Sequence, residues 1–188
     1  MINDYLEQSI QTQQALKKDE AFLGSFARAV ELLVRSFIAG QKLLIAGNGG
    51  SAADSQHFAA EIVNTLKKEK RCGYPAIALT TDTSVLTSWV NDFGADDMFA
   101  RQVQALGQAN DVLFAISTSG NSKNLVRAVE EAKEKKMATI GLLGGNGGVL
   151  ADMVDIALIV PSDVTSHIQE SHIAIIHGLC EEVVPHLS

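Results

Sequence analysis

Two groups of polar side chains sit where apolar ones would be expected. His57 and Glu61 are four residues apart, so on a helix they share one face. An imidazole and a carboxylate at that spacing make half of a metal site, or an acid–base pair. Further on, His167, Gln169, Glu170, His172 and His177 interrupt a helix-like segment that otherwise carries Ile168, Ile173, Ile175, Ile176 and Leu179. Polar groups on a buried helix need partners or cost free energy. Partners on the His57/Glu61 helix, or a metal ion, would supply them.

Hydroxyls and glycines form the second chemical feature. Gly47-Asn48-Gly49-Gly50-Ser51 follows the apolar run Lys42-Leu43-Leu44-Ile45-Ala46. Ser117-Thr118-Ser119-Gly120-Asn121-Ser122 follows Val112-Leu113-Phe114-Ala115-Ile116. A strand that stops at glycine and hands over to a helix offers free N–H groups and hydroxyls at the positive end of the helix dipole, which suits phosphate. Neither turn contains Lys or Arg; only Lys123 borders one. No Gly-Lys-Ser/Thr sequence follows a strand, and the first turn lacks dinucleotide-fingerprint spacing, which argues against a nucleotide site. A phosphate held by hydroxyls and backbone amides suits a sugar phosphate. Asn91-Asp92-Phe93-Gly94 ends another helix; these residues favour turns, and the amide and carboxylate can also grip sugar hydroxyls. A third turn, Gly144-Gly145-Asn146-Gly147-Gly148, reads as a connection into a short helix, and the basic run Lys67-Lys68-Glu69-Lys70-Arg71 as a solvated helix end.

The elements that must position these groups follow from periodicity. Residues 4–18 and 20–39 are predicted helices; Phe22, Phe26, Ala29, Val30, Leu33 and Phe37 recur at helical spacing, and Gly40 is placed to cap. Short apolar runs at 42–46, 76–80, 112–116, 138–143 and 155–160 read as buried parallel strands. Helix-like stretches at 52–68, 83–91, 97–107, 122–135 and 166–185 separate them. The alternation predicts an α/β three-layer sandwich around a five-stranded parallel sheet, with an added N-terminal helical segment at 1–40. Ligands in such folds sit at the carboxyl ends of strands, where both glycine–serine turns fall.

With 188 residues and 46% apolar content, one domain over 1–188 with a substantial core is expected. The formal charge of -7 argues against a nucleic-acid surface. No apolar run reaches membrane-span length, and the start of the chain lacks a secretory pattern. Two cysteines, Cys72 and Cys180, fit free thiols in a reducing cytoplasm. The helices at 4–18, 20–39 and 166–185 bear more apolar surface than one sheet covers, so contact between subunits is expected.

Six stretches resemble the phosphoheptose isomerase family of the sugar-isomerase (SIS) fold: residues 47–54, 57–61, 74–79, 91–94, 116–122 and 168–173, in order along nearly the whole chain. The resemblance implies conversion of sedoheptulose 7-phosphate to D-glycero-D-manno-heptose 7-phosphate, the entry to lipopolysaccharide heptoses. It implies phosphate binding by Ser51, Ser117, Thr118, Ser119 and Ser122, and contacts to the rest of the sugar from Asn48, Gly49, Gly50, Asn91 and Asp92, with Glu61 and Gln169 also touching substrate. His57, Glu61, Gln169 and His177 resemble ligands for one zinc ion per subunit, and Glu61 and His177 the acid–base pair. Such chemistry moves a proton between C1 and C2 through an enediol, with the metal polarising the carbonyl. The resemblance also implies a homotetramer with active sites near its interfaces.

Gln169 and His177 lie eight residues apart, about 12 Å along a regular helix, so one metal reaches both only if the side chains lean together or come from different subunits. Two positions depart from the family: Asn64-Thr65 stands in place of a Gly-Arg pair, and His167 in place of an Arg. Each removes a cation that could have touched substrate. The rivals to the enzyme reading are a non-enzymatic relative that binds the replication initiator, isomerases of arabinose 5-phosphate or hexulose 6-phosphate, and a sugar-phosphate-sensing module. Glu61 and His177 together favour the enzyme.

Overall fold

The computed structural model describes residues 1–64 and 72–187. Thr65 and the run Lys67–Arg71 lie outside the described residues. Two helices, α1 (Ile2–Lys18) and α2 (Glu20–Ile38), precede strand β1 (Leu43–Gly47). There follow α3 (Gly50–Val63), β2 (Ala76–Ala78), α4 (Thr83–Phe93), α5 (Met98–Leu106), β3 (Val112–Ser117), α6 (Lys123–Glu134), β4 (Ala138–Gly144), α7 (Gly148–Met153), β5 (Ile156–Val160) and α8 (Thr165–Val183). The strands pair in parallel in the order β2-β1-β3-β4-β5. The chain therefore leaves β1 toward one edge, then returns to its other side at β3. That reversal opens a crevice at the carboxyl ends of β1 and β3, and both glycine–serine turns emerge there.

Strand residues divide the core in two because successive side chains face opposite ways. Leu43, Ile45, Phe114, Ile116 and Leu142 pack with α2, α3 and α8. Leu44, Ala46, Leu113, Ala115 and Leu143 pack against residues of α5, α6 and α7 such as Phe99, Val103, Leu125, Val129 and Leu150. Burial on both faces explains why the strands read as continuous apolar runs. The N-terminal segment forms as predicted. Asp19 ends α1 and caps α2 through Ala21 N and Phe22 N. Past α2, Gly40 adopts a left-handed φ of 75°, and Gln41 N reaches back to Ser36 O (2.9 Å). Strand β2 is shorter than expected, and α4 continues through Asn91 and Asp92 to Phe93 before Gly94 stops it.

Most of the polar residues of α8 are structural, which corrects the expectation that α3 or a metal would partner them. The hydroxyls of Tyr5 and Ser9, one turn apart on α1, each donate to a different oxygen of Glu170. They hold its carboxyl below the usual carboxylate range, Ser9 contributing most. The His167 ring lies 4.7 Å from that of Tyr5. His172 is wholly buried and its Nε2 donates to Leu143 O (3.2 Å), at the end of β4. Only Gln169 and His177 turn toward α3.

Candidate active site

The glycine–serine turns, the candidate phosphate end, are built from backbone. At the end of β1, Gly47 lets α3 start hard against the strand; a Cβ there would lie 2.5 Å from Ser51 O. No side chain caps α3, and Ser51 is buried at its first turn. In the turn after β3, Gly120 has φ 64°, and a Cβ would stand 1.9 Å from Gly147 O. The third glycine turn thus buttresses the second as well as leading into α7. Leu150 N donates to Gly120 O (3.0 Å) and Val149 N to Asn121 Oδ1 (3.0 Å). Ser117 Oγ accepts from Gly120 N (3.1 Å) and lies 3.4 Å from Ser122 Oγ, while Ser119 Oγ accepts from Asn121 N (3.2 Å). A hydroxyl that accepts an N–H keeps its own proton to donate to an anion. A cleft of about 360 Å³ opens beside Thr118 and Ser119, bounded by Gly145, Asp163 and Thr165.

The chemical end is built from side chains along the seam of α3 and α8. His57 Nε2 lies 2.8 Å from His177 Nε2, with the rings edge to face, and 3.9 Å from Glu61 Oε1. Glu61 is the more sheltered, with 17% of its side chain exposed against 40% for His57. The structure thus brings His57, Glu61 and His177 within reach of one another.

Gln169 is elsewhere. Its carboxamide lies at Gly50, where a Cβ would meet Nε2 at 2.4 Å. The contacts Gly50–Gln169 and His57–His177 advance seven and eight residues in the same direction, so α3 and α8 run parallel here. Gln169 and His177 are therefore about two turns apart, roughly 10–12 Å along the seam. Asn91 and Asp92 also stand apart. Asn91 Nδ2 donates to Asp92 Oδ1 (2.7 Å), both residues are exposed, and neither hydrogen-bonds to the glycine–serine turns.

Two residues escaped the sequence reading. Asp54 shares the α3 face of Gly50, His57 and Glu61. Burial pushes its carboxyl up, opposed by the charge of His57, and its Oδ2 is buried with no hydrogen-bond partner among the described residues. Its position between Gly50 and His57 at helical spacing was the available signal. Asn124 pairs with Asn48 across the two turns; no sequence signal marked it.

As they stand, no three His, Cys, Asp or Glu side chains among the described residues form a closed metal-binding group. By donor type the seam nevertheless fits zinc, which takes imidazole nitrogen and carboxylate oxygen. Two Nε2 atoms already converge, with a carboxylate oxygen beside them.

The model of the SIS domain matches residues 4–144, and with the parallel sheet and glycine–serine turns it defines this as a SIS-domain protein. Full-length relatives narrow the class. A phosphoheptose isomerase of Geobacter sulfurreducens is 53% identical over 97% of both chains, and one of Helicobacter pylori is 48% identical over 100% of this chain and 98% of its own. The structure of a phosphoheptose isomerase from Neisseria gonorrhoeae superposes with a TM-score of 0.91 at 43% identity, covering 98% of this chain and 97% of the other. The chain belongs to the phosphoheptose isomerase family and is an isomerase. The Vibrio vulnificus NanR protein, solved with ManNAc-6P, shares only the fold, at 19% identity and a TM-score of 0.69, covering 98% of this chain and 62% of its own.

Proposed function

We propose that the protein interconverts sedoheptulose 7-phosphate and D-glycero-D-manno-heptose 7-phosphate, feeding lipopolysaccharide heptose synthesis in the cytoplasm. The observation that carries this reading is the meeting of His57, Glu61 and His177 at one end of a seam whose other end abuts the phosphate-type turns. An extended sugar phosphate needs that separation between its phosphoryl group and its carbonyl.

In this reading Ser51, Ser117, Thr118, Ser119 and Ser122 donate to the phosphate. Asn48, Gly49, Gly50 and Gln169 line the path of the sugar between the turns and the seam. Glu61 removes the proton from the carbon beside the carbonyl and returns it to the neighbouring carbon, and His177 serves the oxygens. The Nε2 atoms of His57 and His177 face each other at 2.8 Å, so both imidazoles stand at the same point of the seam. The seam shelters Glu61 from water, which favours internal return of the proton over its loss to solvent.

His57, Glu61 and His177 are the residues of one chain that would hold zinc, which supplies a Lewis acid beside the carbonyl. Gln169 would complete the set only from a neighbouring subunit, consistent with the homotetramer we propose. Ile2, Leu6 and Ile10 recur one turn apart on the exposed side of α1, and Phe93 of α4 is 70% exposed beside Asn91 and Asp92. Buried between subunits, α4 would bring those two residues to a partner's substrate. No helix among the described residues is long and apolar enough to cross a membrane.

Incubating the protein with sedoheptulose 7-phosphate and following the anomeric proton signals by NMR tests the reading. An aldose phosphate is expected to appear; an unchanged spectrum would overturn it. A replication-initiator-binding role has no use for Glu61 against two imidazoles, so a Glu61→Gln variant that kept such binding in full would support that rival.

A further inference from the structure

The two phosphate-type turns leave neighbouring strands, and the last register pair of β1 and β3 is Gly47 with Ile116. Beyond that point, among the described residues, no backbone hydrogen bond joins residues 48–51 to residues 117–124. One side-chain link does. Asn48 Nδ2 donates to Asn124 Oδ1 at 2.9 Å, and Asn124 Nδ2 donates back to Asn48 Oδ1 at 2.9 Å. The two amides form a closed ring of two hydrogen bonds. Asn48 belongs to the first turn, and Asn124 stands in the first turn of α6, two residues past Ser122.

This placement decides what the pair can do. It is exposed, so water competes for both amides and the pair adds little to folding stability. Its geometric effect is larger, because it ties the loop bearing Ser51 to the helix start bearing Ser122. On its far side the Ser117–Ser122 turn is already fixed by Gly147, Leu150 and Val149. On its near side, toward Ser51, the amide pair is the cross-link beyond the strands. A phosphate gripped from both turns binds well only if their separation is set in advance.

We propose that Asn124 is a positioning residue: through its paired amide with Asn48 it sets the spacing of the two phosphate-binding turns. It acts on binding of the phosphoryl group and not on proton transfer at the seam. The proposal rests on the isomerase reading for its kinetic test and on phosphate binding alone for its second test.

The first test compares Asn124→Ala with the parent enzyme on sedoheptulose 7-phosphate. KM is expected to rise about five- to tenfold, the loss of one to two hydrogen bonds, with kcat within about twofold. Asn124→Gln, which keeps the amide, should recover part of the KM; a merely structural lesion would not discriminate between the two. In a cycle with Asn48→Ala, the double variant should be no worse in KM than Asn48→Ala alone. The second test measures inorganic phosphate binding by calorimetry, which needs no turnover. Asn124→Ala should weaken it by the same factor while the melting temperature stays within about 2 °C, as for a surface change. Unchanged KM and phosphate affinity would overturn the proposal, as would a fall in kcat at constant KM, or additive Asn48 and Asn124 effects. Absence of turnover in the parent with intact, Asn124-dependent phosphate binding would sink the isomerase reading and leave this one standing.

Discussion

The two ends of the site are built of different material. The proposed phosphate end is a matter of backbone: glycines bring β1 onto α3 and the Ser117–Ser122 turn onto Gly147, and the hydroxyls partly hold that turn in shape. The seam end is a matter of side chains: two imidazoles and a carboxylate meet because α3 and α8 run side by side. The difference teaches where each end is vulnerable. In the proposed reading the backbone end shares its task among many donors, so losing one hydroxyl should cost little, whereas an added Cβ at Gly47 or Gly120 would collide with backbone. In the proposed reading the side-chain end has few groups, each with its own task.

The strongest way to break this contrast is Glu61→Gln. Turnover should fall about 10²- to 10⁴-fold, the range for losing a general base, while inorganic phosphate still binds; near-normal kcat would dissolve the division. Removal of metal should act at the same end. Dialysis against a chelator is expected to abolish most activity, with recovery on adding zinc, and full activity after dialysis would confine the seam to acid–base chemistry by its side chains.

His172 sharpens the comparison by standing behind both ends, against the last turn of β4. Burial pushes its pKa from 6.5 to about 4. In the unfolded chain it would take a proton below about pH 6.5, whereas the folded protein refuses it until about pH 4. Its contribution is therefore complete above the unfolded value and is lost as pH falls through that window, about 3 kcal/mol in all. Denaturation between pH 7 and 4 should show that slope, and His172→Gln should flatten it. An identical slope in the variant would assign the acid sensitivity elsewhere.

Gly120→Ala tests the backbone end. Left-handed φ and collision with Gly147 O should cost at least about 2 kcal/mol, roughly 4–8 °C in melting temperature, and raise KM. A variant as stable as the parent would show that the buttress gives way easily. The smallest effect is expected from Ser119→Ala. One phosphate hydrogen bond among several should raise KM a few-fold and leave kcat alone; an unchanged KM would place the phosphoryl group elsewhere.

Much of this architecture was legible in the sequence. Short apolar runs marked every strand, because residues buried on both faces leave no polar alternation. The pair His57 and Glu61 was legible from helical spacing. What pattern did not carry was contact between elements. Glu170, His167 and His172 read as chemistry because they are polar on an apolar helix, yet α1 and a β4 carbonyl use them for packing. Asn124 is an ordinary residue in a helix first turn, and only the adjacency of β1 and β3 brings it to Asn48. Asn91 and Asp92 are exposed in the single chain, and their residue types alone do not tell a turn from a sugar contact.

The grip of Tyr5 and Ser9 on Glu170 has a consequence for anyone handling this enzyme. Glu170 is the immediate neighbour of Gln169 and lies on the helix that carries His177, so α1 is hydrogen-bonded through one carboxylate, and packed through the Tyr5 ring on His167, to that helix. A bulky amino-terminal fusion that prises residues 2–9 from their seat would leave the sheet and its glycine turns undisturbed, and still slacken the helix on which Gln169 and His177 are mounted.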